Sequence, residues 1–229
     1  MAVLPALIER GIEVLCLDLD DTLVDTEAGA VLRFKAAVER IRELRPDITS
    51  QTIEAATADA LLTHPSEGRM ANFFATLHLE DPSHVQIIRE AYFETMASQQ
   101  APLYPGTADV LRLLKRQFRL ALITNGPSRL QRGKIELHGL DSYFDWIVIS
   151  EECGFEKPHI EIFDHTLGLA GIPSKRAAHA GDSLTADVVG ANNAGVTSIW
   201  VRNALVRGNP NGSESAPHFT IAQLDDLLS

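Results

Sequence analysis

A chain of 229 residues with 45% hydrophobic and 22% charged residues has material for a full core or a core with an insertion, which excludes a disordered or fibrous protein. A formal net charge of −11 without any Lys/Arg-rich block excludes polyanions as partners, so neither nucleic acid nor an anionic membrane surface is expected. Two cysteines, Cys16 and Cys153, without C-x-x-C spacing, and eight histidines without H-x-H or H-x-x-x-H pairs, exclude a disulfide framework and a soft-metal cage.

The opening MAVLPALIERGIEV lacks the basic segment of a secretion signal, and no stretch reaches the about 20 apolar residues of a membrane span. A cytoplasmic protein is expected. The first strand signal is VLCL at 14–17, apolar at every position, and it runs directly into DLDD, which places three carboxylates in four positions. From Asp25 to about Ala101 the pattern turns helical. Val31, Phe34, Val38 and Ile41 are spaced to share one helix face, and Val85, Ile88, Tyr92 and Met96 another. Asp81-Pro82 reads as a helix cap followed by proline in the first turn. The stretch APLYPG at 101–106 then returns the chain to an alternating pattern.

Four more apolar strand signals follow, LALI (120–123), WIVI (146–149), AAHA (177–180) and TSIWV (197–201). Helical stretches at about 106–117, 128–138, 159–170 and 184–194 lie among them, the last three stopping at Gly139, Gly171 and Gly195. Strands apolar on both faces and alternating with helices predict an α/β protein: a doubly wound, Rossmann-like parallel-sheet core with an inserted all-helical domain. The expected boundaries are residues 1–24 and 102–229 for the core and 25–101 for the helical insertion.

In such sheets ligands bind beyond the carboxyl ends of the strands. Asp18 and Asp20 end the first strand, Thr124-Asn125-Gly126 ends the second, Lys157 precedes a helix, and Asp182 follows the fourth. Taken singly, each has an ordinary explanation as a turn residue, a helix cap or a solvated lysine. In this order they resemble the four motifs of the haloacid dehalogenase-like hydrolases, most of which are phosphatases. DLDDT (18–22) corresponds to D-x-D-x-T, ITN (123–125) to a strand ending in Thr or Ser, Lys157 in EKP to the motif lysine, and GDSLTAD (181–187) to G-D-x-x-x-x-D. The insertion falls where the helical cap of the first subfamily sits. FDWIVISEECGFEKP and LITNG are most similar to the branch holding pyrimidine 5′-nucleotidases and N-acylneuraminate-9-phosphatases.

The resemblance implies a Mg²⁺-dependent phosphatase acting on a small phosphorylated metabolite, a nucleoside 5′-monophosphate or a sugar phosphate, as a monomer or homodimer. Asp18 would be the nucleophile, forming an aspartyl-phosphate, and Asp20 the general acid and then base. Thr124, Asn125, Gly126 and Lys157 would bind the phosphoryl group. Mg²⁺ would be held by Asp18, Asp182 and the backbone carbonyl of Asp20, with Asp187 supporting that shell. The crowding of carboxylates then has a physical reason. At about 4 Å and an effective dielectric near 20, attack of one carboxylate on a phosphate dianion meets on the order of 8 kcal/mol of repulsion, about a million-fold in rate. A divalent cation and a lysine cancel it.

Two relatives in reaction remain as alternatives, a phosphomutase, which shares these motifs, and a 2-haloacid dehalogenase, which lacks an acid at the place of Asp20. A non-catalytic binding protein on the same scaffold is a third. Asp21 is given no catalytic role, nor are Cys153, His159 and His179. Arg33, His64 and Arg69 are the candidates in the insertion for contact with the leaving group.

Overall fold

The computed structural model describes residues 2–62, 69–97, 101–202 and 216–229; His64 and the side chain of Met96 lie outside the described residues. In chain order the elements are α1 (Val3–Glu9), β1 (Val14–Leu17), α2 (Thr26–Leu44), α3 (Ser50–Leu62), α4 (Arg69–Thr76), α5 (Pro82–Ala97), α6 (Thr107–Leu114), β2 (Arg119–Thr124), α7 (Ser128–Leu137), β3 (Trp146–Ile149), α8 (Ser150–Cys153), α9 (Ile160–Ala170), β4 (Ala177–Gly181), a π-helical turn (Leu184–Val189), α10 (Gly190–Asn193), β5 (Thr197–Val201) and β6 (Phe219–Ile221). The chain divides into two compact units, Met1–Asp25 with Leu103–Ser229, and Thr26–Pro102.

The first unit is a six-stranded sheet in the order β3-β2-β1-β4-β5-β6, every pair parallel. The chain moves outward from β1 through β2 to β3, then returns to the other side of β1. The strand order therefore reverses between β1 and β4, where a doubly wound sheet opens its ligand crevice. All residues of β1, β4 and β5 are buried, which is why these strands lack the in–out alternation of a half-exposed sheet. One layer of the core joins Val14, Cys16, Ala121 and Ile123 of the sheet to Ile162, Phe163 and Leu167 of α9.

The anticipated glycine stops have left-handed backbone, with φ of 59° at Gly139, 67° at Gly171 and 69° at Gly195, a conformation glycine adopts without steric cost. The stretch expected as one helix over 184–194 is instead the π turn running into α10; Ser183 caps it by accepting a hydrogen bond from the Ala186 amide at 3.1 Å. Strand β6 was not anticipated: three residues, Phe-Thr-Ile, are too few to show a period.

The second unit is made of α2 to α5, around a core where the Phe34 ring meets Phe73 at 4.9 Å and Tyr92 at 5.1 Å edge-on. Phe34 and Ile41 lie on the buried face of α2 as expected, but Val31 is 60% exposed. The buried stripe is Ala30, Arg33, Phe34, Ala37 and Ile41, so Val31 falls one step of about 100° off it. Asp81 Oδ1 accepts from the Ser83 amide at 2.8 Å as α5 begins at Pro82. No helix among the described residues is long and apolar enough to cross a membrane.

Candidate active site

The carboxyl ends of β1, β2 and β4 bring the carboxylates together. The Asp18 amide donates to the Ala180 carbonyl at 2.9 Å, so the β1–β4 ladder extends one residue past β1 and holds the Asp18 backbone rigidly. The chain then turns sharply: Asp21 has φ 55°, its amide donates to Val24 O at 2.8 Å, and the amides of Leu23 and Val24 return to Leu19 O at 2.9 and 3.0 Å. A left-handed residue here suits aspartate, one of the few non-glycine types that tolerate it.

Lys157 reaches across to this end. Its Nζ donates to Asp18 Oδ1 at 2.5 Å, to Asp187 Oδ1 at 2.7 Å and to the Ile123 carbonyl at 2.9 Å, satisfying all three donors of a side chain only 2% exposed. Asp187 is fixed from three directions. Besides Lys157, it lies 2.8 Å from His179 Nε2 and accepts from the Ser183 amide at 3.0 Å. Asp182 is anchored through its backbone carbonyl, which accepts from Trp200 Nε1 at 2.8 Å. His179, to which the sequence assigned no role, thus belongs to this group. It is one of the five residues of the buried β4, and nothing in AAHA distinguishes it from a packed core histidine.

Oxygen atoms of Asp18, Asp182 and Asp187 all lie within 4.8 Å of one another. The electrostatics show how unequally they are compensated. Burial, with Asp187 and Asp20 adding to it against Lys157, pushes the Asp18 carboxyl up to about 7. Burial and the neighbouring Asp187, Asp18 and Asp21 push Asp182 up to about 9. Burial also works against the charged form of Asp187, but Lys157 and His179 outweigh it and hold that carboxyl below its ordinary range. Lys157 stays protonated because Asp18 and Asp187 overcome the cost of its burial. One ammonium therefore serves two of the three carboxylates. The remaining negative charge, presented entirely by oxygen, fits a hard divalent cation, which Asp18 and Asp182 can ligate while Asp187 is held by its own partners.

On the other side stand the second-motif residues. Thr124 ends β2 with its hydroxyl buried and accepting from Gln131 Nε2 at 2.6 Å. Asn125 brackets the Lys157 backbone: its Nδ2 donates to Lys157 O and its Oδ1 accepts from Lys157 N, both at 2.9 Å. Its side chain thus sets the place of the motif lysine. The Gly126 amide donates to Ser150 Oγ at 2.9 Å. The Asp20 carboxylate is outside the three-carboxylate group and turns to α7, where Oδ1 accepts from Lys134 Nζ at 2.6 Å and Oδ2 from Gln131 Nε2 at 2.9 Å. Neither Gln131 nor Lys134 stood out in the sequence. Their spacing of three along a predicted helix was the one available sign, since it puts two polar groups on a single face.

Arg33 and Arg69 are buried within the helical unit. Arg33 Nη2 donates to the Thr26 carbonyl at 2.8 Å and its guanidinium lies 5.5 Å from the Tyr92 ring centre. Arg69 Nη2 pairs with both Glu27 oxygens at 2.9 and 3.0 Å.

A family model for haloacid dehalogenase-like hydrolases matches residues 12–195. Pyrimidine 5′-nucleotidase YjjG of Escherichia coli is 37% identical over 161 residues, which span 70% of this chain and 68% of that protein. N-acylneuraminate-9-phosphatase of Rattus norvegicus is 29% identical over 227 residues, 92% of this chain and 90% of that one. Among solved structures, the magnesium-bound HAD-hydrolase YfnB of Bacillus subtilis, described as revealing interdomain movement, superposes with a TM-score of 0.76 at 24% identity, over 94% of this chain and 96% of its own. On these grounds the chain belongs to the haloacid dehalogenase-like hydrolases, and with its curated relatives it is a phosphatase.

Proposed function

We propose that this phosphatase is Mg²⁺-dependent and hydrolyses a small phosphorylated metabolite, a nucleoside 5′-monophosphate or a sugar phosphate, through an aspartyl-phosphate on Asp18. The observation that carries this reading is the placement of two acids in two environments. Asp18 lies among carboxylates and the Lys157 ammonium, whereas Asp20, two residues on, is 32% exposed and held by α7. Positive charge beside a nucleophilic carboxylate offsets its repulsion from phosphate, and a group that exchanges protons must stand within reach of the leaving group and of water.

In this reading Asp18 Oδ attacks phosphorus while the ester oxygen leaves with its electron pair and takes the proton of the Asp20 carboxyl. The alcohol departs. Asp20, now a carboxylate, removes a proton from the water that attacks the phosphorus of the acyl phosphate, which returns Asp18 and yields phosphate. Lys157 stabilises the phosphoryl oxygens, Thr124 and the Asn125–Gly126 backbone supply further donors, and Asn125 keeps Lys157 in register. Mg²⁺, held by Asp18, Asp182 and the Asp20 carbonyl with Asp187 in support, would neutralise the charge between nucleophile and phosphate when bound. The helical unit, residues 26–102, serves as the cap that selects the leaving group. The nucleotidase and sugar-phosphate phosphatase among the relatives support this substrate range, and the metal and movement described for YfnB support the cofactor and a mobile cap.

Phosphate release from a panel of nucleoside 5′-monophosphates and sugar phosphates, with Mg²⁺ and with EDTA, tests the proposal. Turnover of at least one class with Mg²⁺, none with EDTA, none for Asp18→Asn and a raised Mg²⁺ requirement for Asp182→Asn are expected. Undiminished turnover in EDTA, or by Asp18→Asn, overturns it.

A further inference from the structure

The fork formed by Gln131 and Lys134 is built more tightly than a chance surface contact. Lys134 Nζ is 2.6 Å from Asp20 Oδ1 and 2.9 Å from Gln131 Oε1, with the lysine side chain 5% exposed. Burying an ammonium is costly unless its hydrogens meet acceptors, so α7 has placed this lysine for those acceptors. Gln131 is 2% exposed. Its Nε2 lies within 2.9 Å of Asp20 Oδ2, 2.6 Å of Thr124 Oγ1 and 2.8 Å of Asn125 O, three acceptors for two hydrogens. Both Asp20 oxygens are thereby held by one helix face, and the same amide nitrogen reaches the Thr124 hydroxyl.

We propose that Gln131 and Lys134 are positioning residues that fix the Asp20 carboxyl at a set distance from the phosphate-binding Thr124, so that proton exchange with the leaving group occurs in register with the phosphate. The inference rests on the acid–base reading of Asp20. Lys134 and Gln131 act through Asp20 and need no contact with substrate. Asp20 sits in a tight turn whose side chain would otherwise sample several rotamers, and the fork removes that freedom before substrate arrives. Gln131 transmits the same constraint to the end of β2, making the acid and the phosphate-binding hydroxyl one rigid piece.

A purely structural role, docking α7 against the β1 turn, would lower all activities together. A positioning role makes the loss depend on the leaving group. The test uses the full chain with saturating Mg²⁺, comparing the parent, Lys134→Met, Lys134→Arg, Gln131→Leu, Asp20→Asn and the Asp20→Asn/Lys134→Met double variant. The substrates are p-nitrophenyl phosphate and the alkyl phosphate turned over fastest in the panel. Lys134→Met is expected to lower kcat on the alkyl phosphate by about 100-fold with KM nearly unchanged, since misplacement of a reacting group by about 1 Å costs that much. The first turnover of p-nitrophenyl phosphate, whose leaving group needs no proton, is expected to stay near the parental rate. Gln131→Leu should follow the same pattern more weakly, Lys134→Arg should recover part of the loss, and the double variant should be no slower than Asp20→Asn alone. A loss in the first turnover of p-nitrophenyl phosphate equal to the loss on the alkyl phosphate, or a double variant slower than Asp20→Asn by the full Lys134→Met factor, overturns the proposal. If Asp20→Asn itself turns over the alkyl phosphate at the parental rate, the acid–base reading of Asp20 fails and takes this inference with it, an outcome distinct from failure of the fork alone. Circular dichroism of each variant, with Gln131→Leu as the second probe, keeps the comparison valid if Lys134→Met does not fold.

Discussion

The Asp187 carboxyl fills the space that a side chain at Gly181 would need: a Cβ there would stand 2.2 Å from Asp187 Cγ and 2.4 Å from its Oδ2. The last residue of β4 is glycine because the carboxyl that receives Lys157, His179 and the Ser183 amide packs directly onto its backbone. Gly181→Ala should therefore displace Asp187 and loosen Lys157 with it. Destabilisation of about 1–3 kcal/mol, the usual range for overpacking, is expected in urea unfolding, together with a large loss of phosphate release. A variant with parental stability and activity would show that Asp187 can move away at no cost.

The raised carboxyls give the metal-free protein a pH dependence of definite sign. Asp182 binds its proton more tightly folded, at about 9, than at its ordinary 3.8, and Asp18 at about 7. Between pH 7 and pH 9 the folded chain holds more protons than the unfolded one, so stability falls as pH rises, by about 3 kcal/mol over that window. The other shifted groups at the site act elsewhere. Asp187, held low, loses its contribution only below 3.8, Lys157, held high, only above 10.5, and His179, held low, opposes the trend only below 6.5. Thermal unfolding in EDTA should show Tm decreasing from pH 7 to pH 9, and saturating Mg²⁺ should flatten that slope by favouring the ionised carboxylates. A Tm rising with pH in EDTA would contradict the assignment.

The two steps assigned to Asp20 separate with the leaving group. Asp20→Asn should stop hydrolysis of an alkyl phosphate, whose alkoxide cannot leave unprotonated. With p-nitrophenyl phosphate, attack by Asp18 should survive and the acyl phosphate should accumulate. Rapid mixing is expected to show a burst of about one p-nitrophenolate per site followed by slow turnover, and Asp18→Asn should show neither. Parental turnover of both substrates by Asp20→Asn would leave Asp20 without a catalytic role.

The two thiols should differ in reactivity. Cys16, in the middle of β1, is 1% exposed, and burial, opposed by Lys157, pushes its thiol up to about 12. Cys153 is half-buried, with its sulfur 3.4 Å from the Phe155 carbonyl. Ellman's reagent at pH 8 should count one thiol in the folded protein and both in guanidinium. Rapid reaction of both in the folded state would mean that β1 is not the central buried strand.

Much of the sheet and most of the residues that gather in the candidate site were legible because both are local. VLCL, WIVI and TSIWV are strands over the same residues in sequence and structure, since short runs dominated by apolar residues between polar turns suit a largely buried parallel sheet. Asp18, Thr124 and Asp182 stand at strand ends because the chain order of strand, polar turn and helix places them there. The pairings themselves were not legible. Lys157 and Asp18 are 139 residues apart and Lys134 and Asp20 are 114 apart; only the parallel sheet, with β1 between β2 and β4, brings those positions to one edge. In sequence, His179 is indistinguishable from a core histidine, and the helical spacing of Gln131 and Lys134 fits two surface residues equally well, because burial and hydrogen bonding are properties of the surroundings that a side chain acquires on folding. Val31 shows the converse, since a helical period fits several faces and the partner helices choose which one is buried. Residue order thus determined the strands, the turns and the acidic residues at their ends, whereas tertiary structure decided which carboxylates each lysine serves, Asp18 and Asp187 for Lys157 and Asp20 for Lys134, because only folding brings residues so distant in the chain within hydrogen-bond reach.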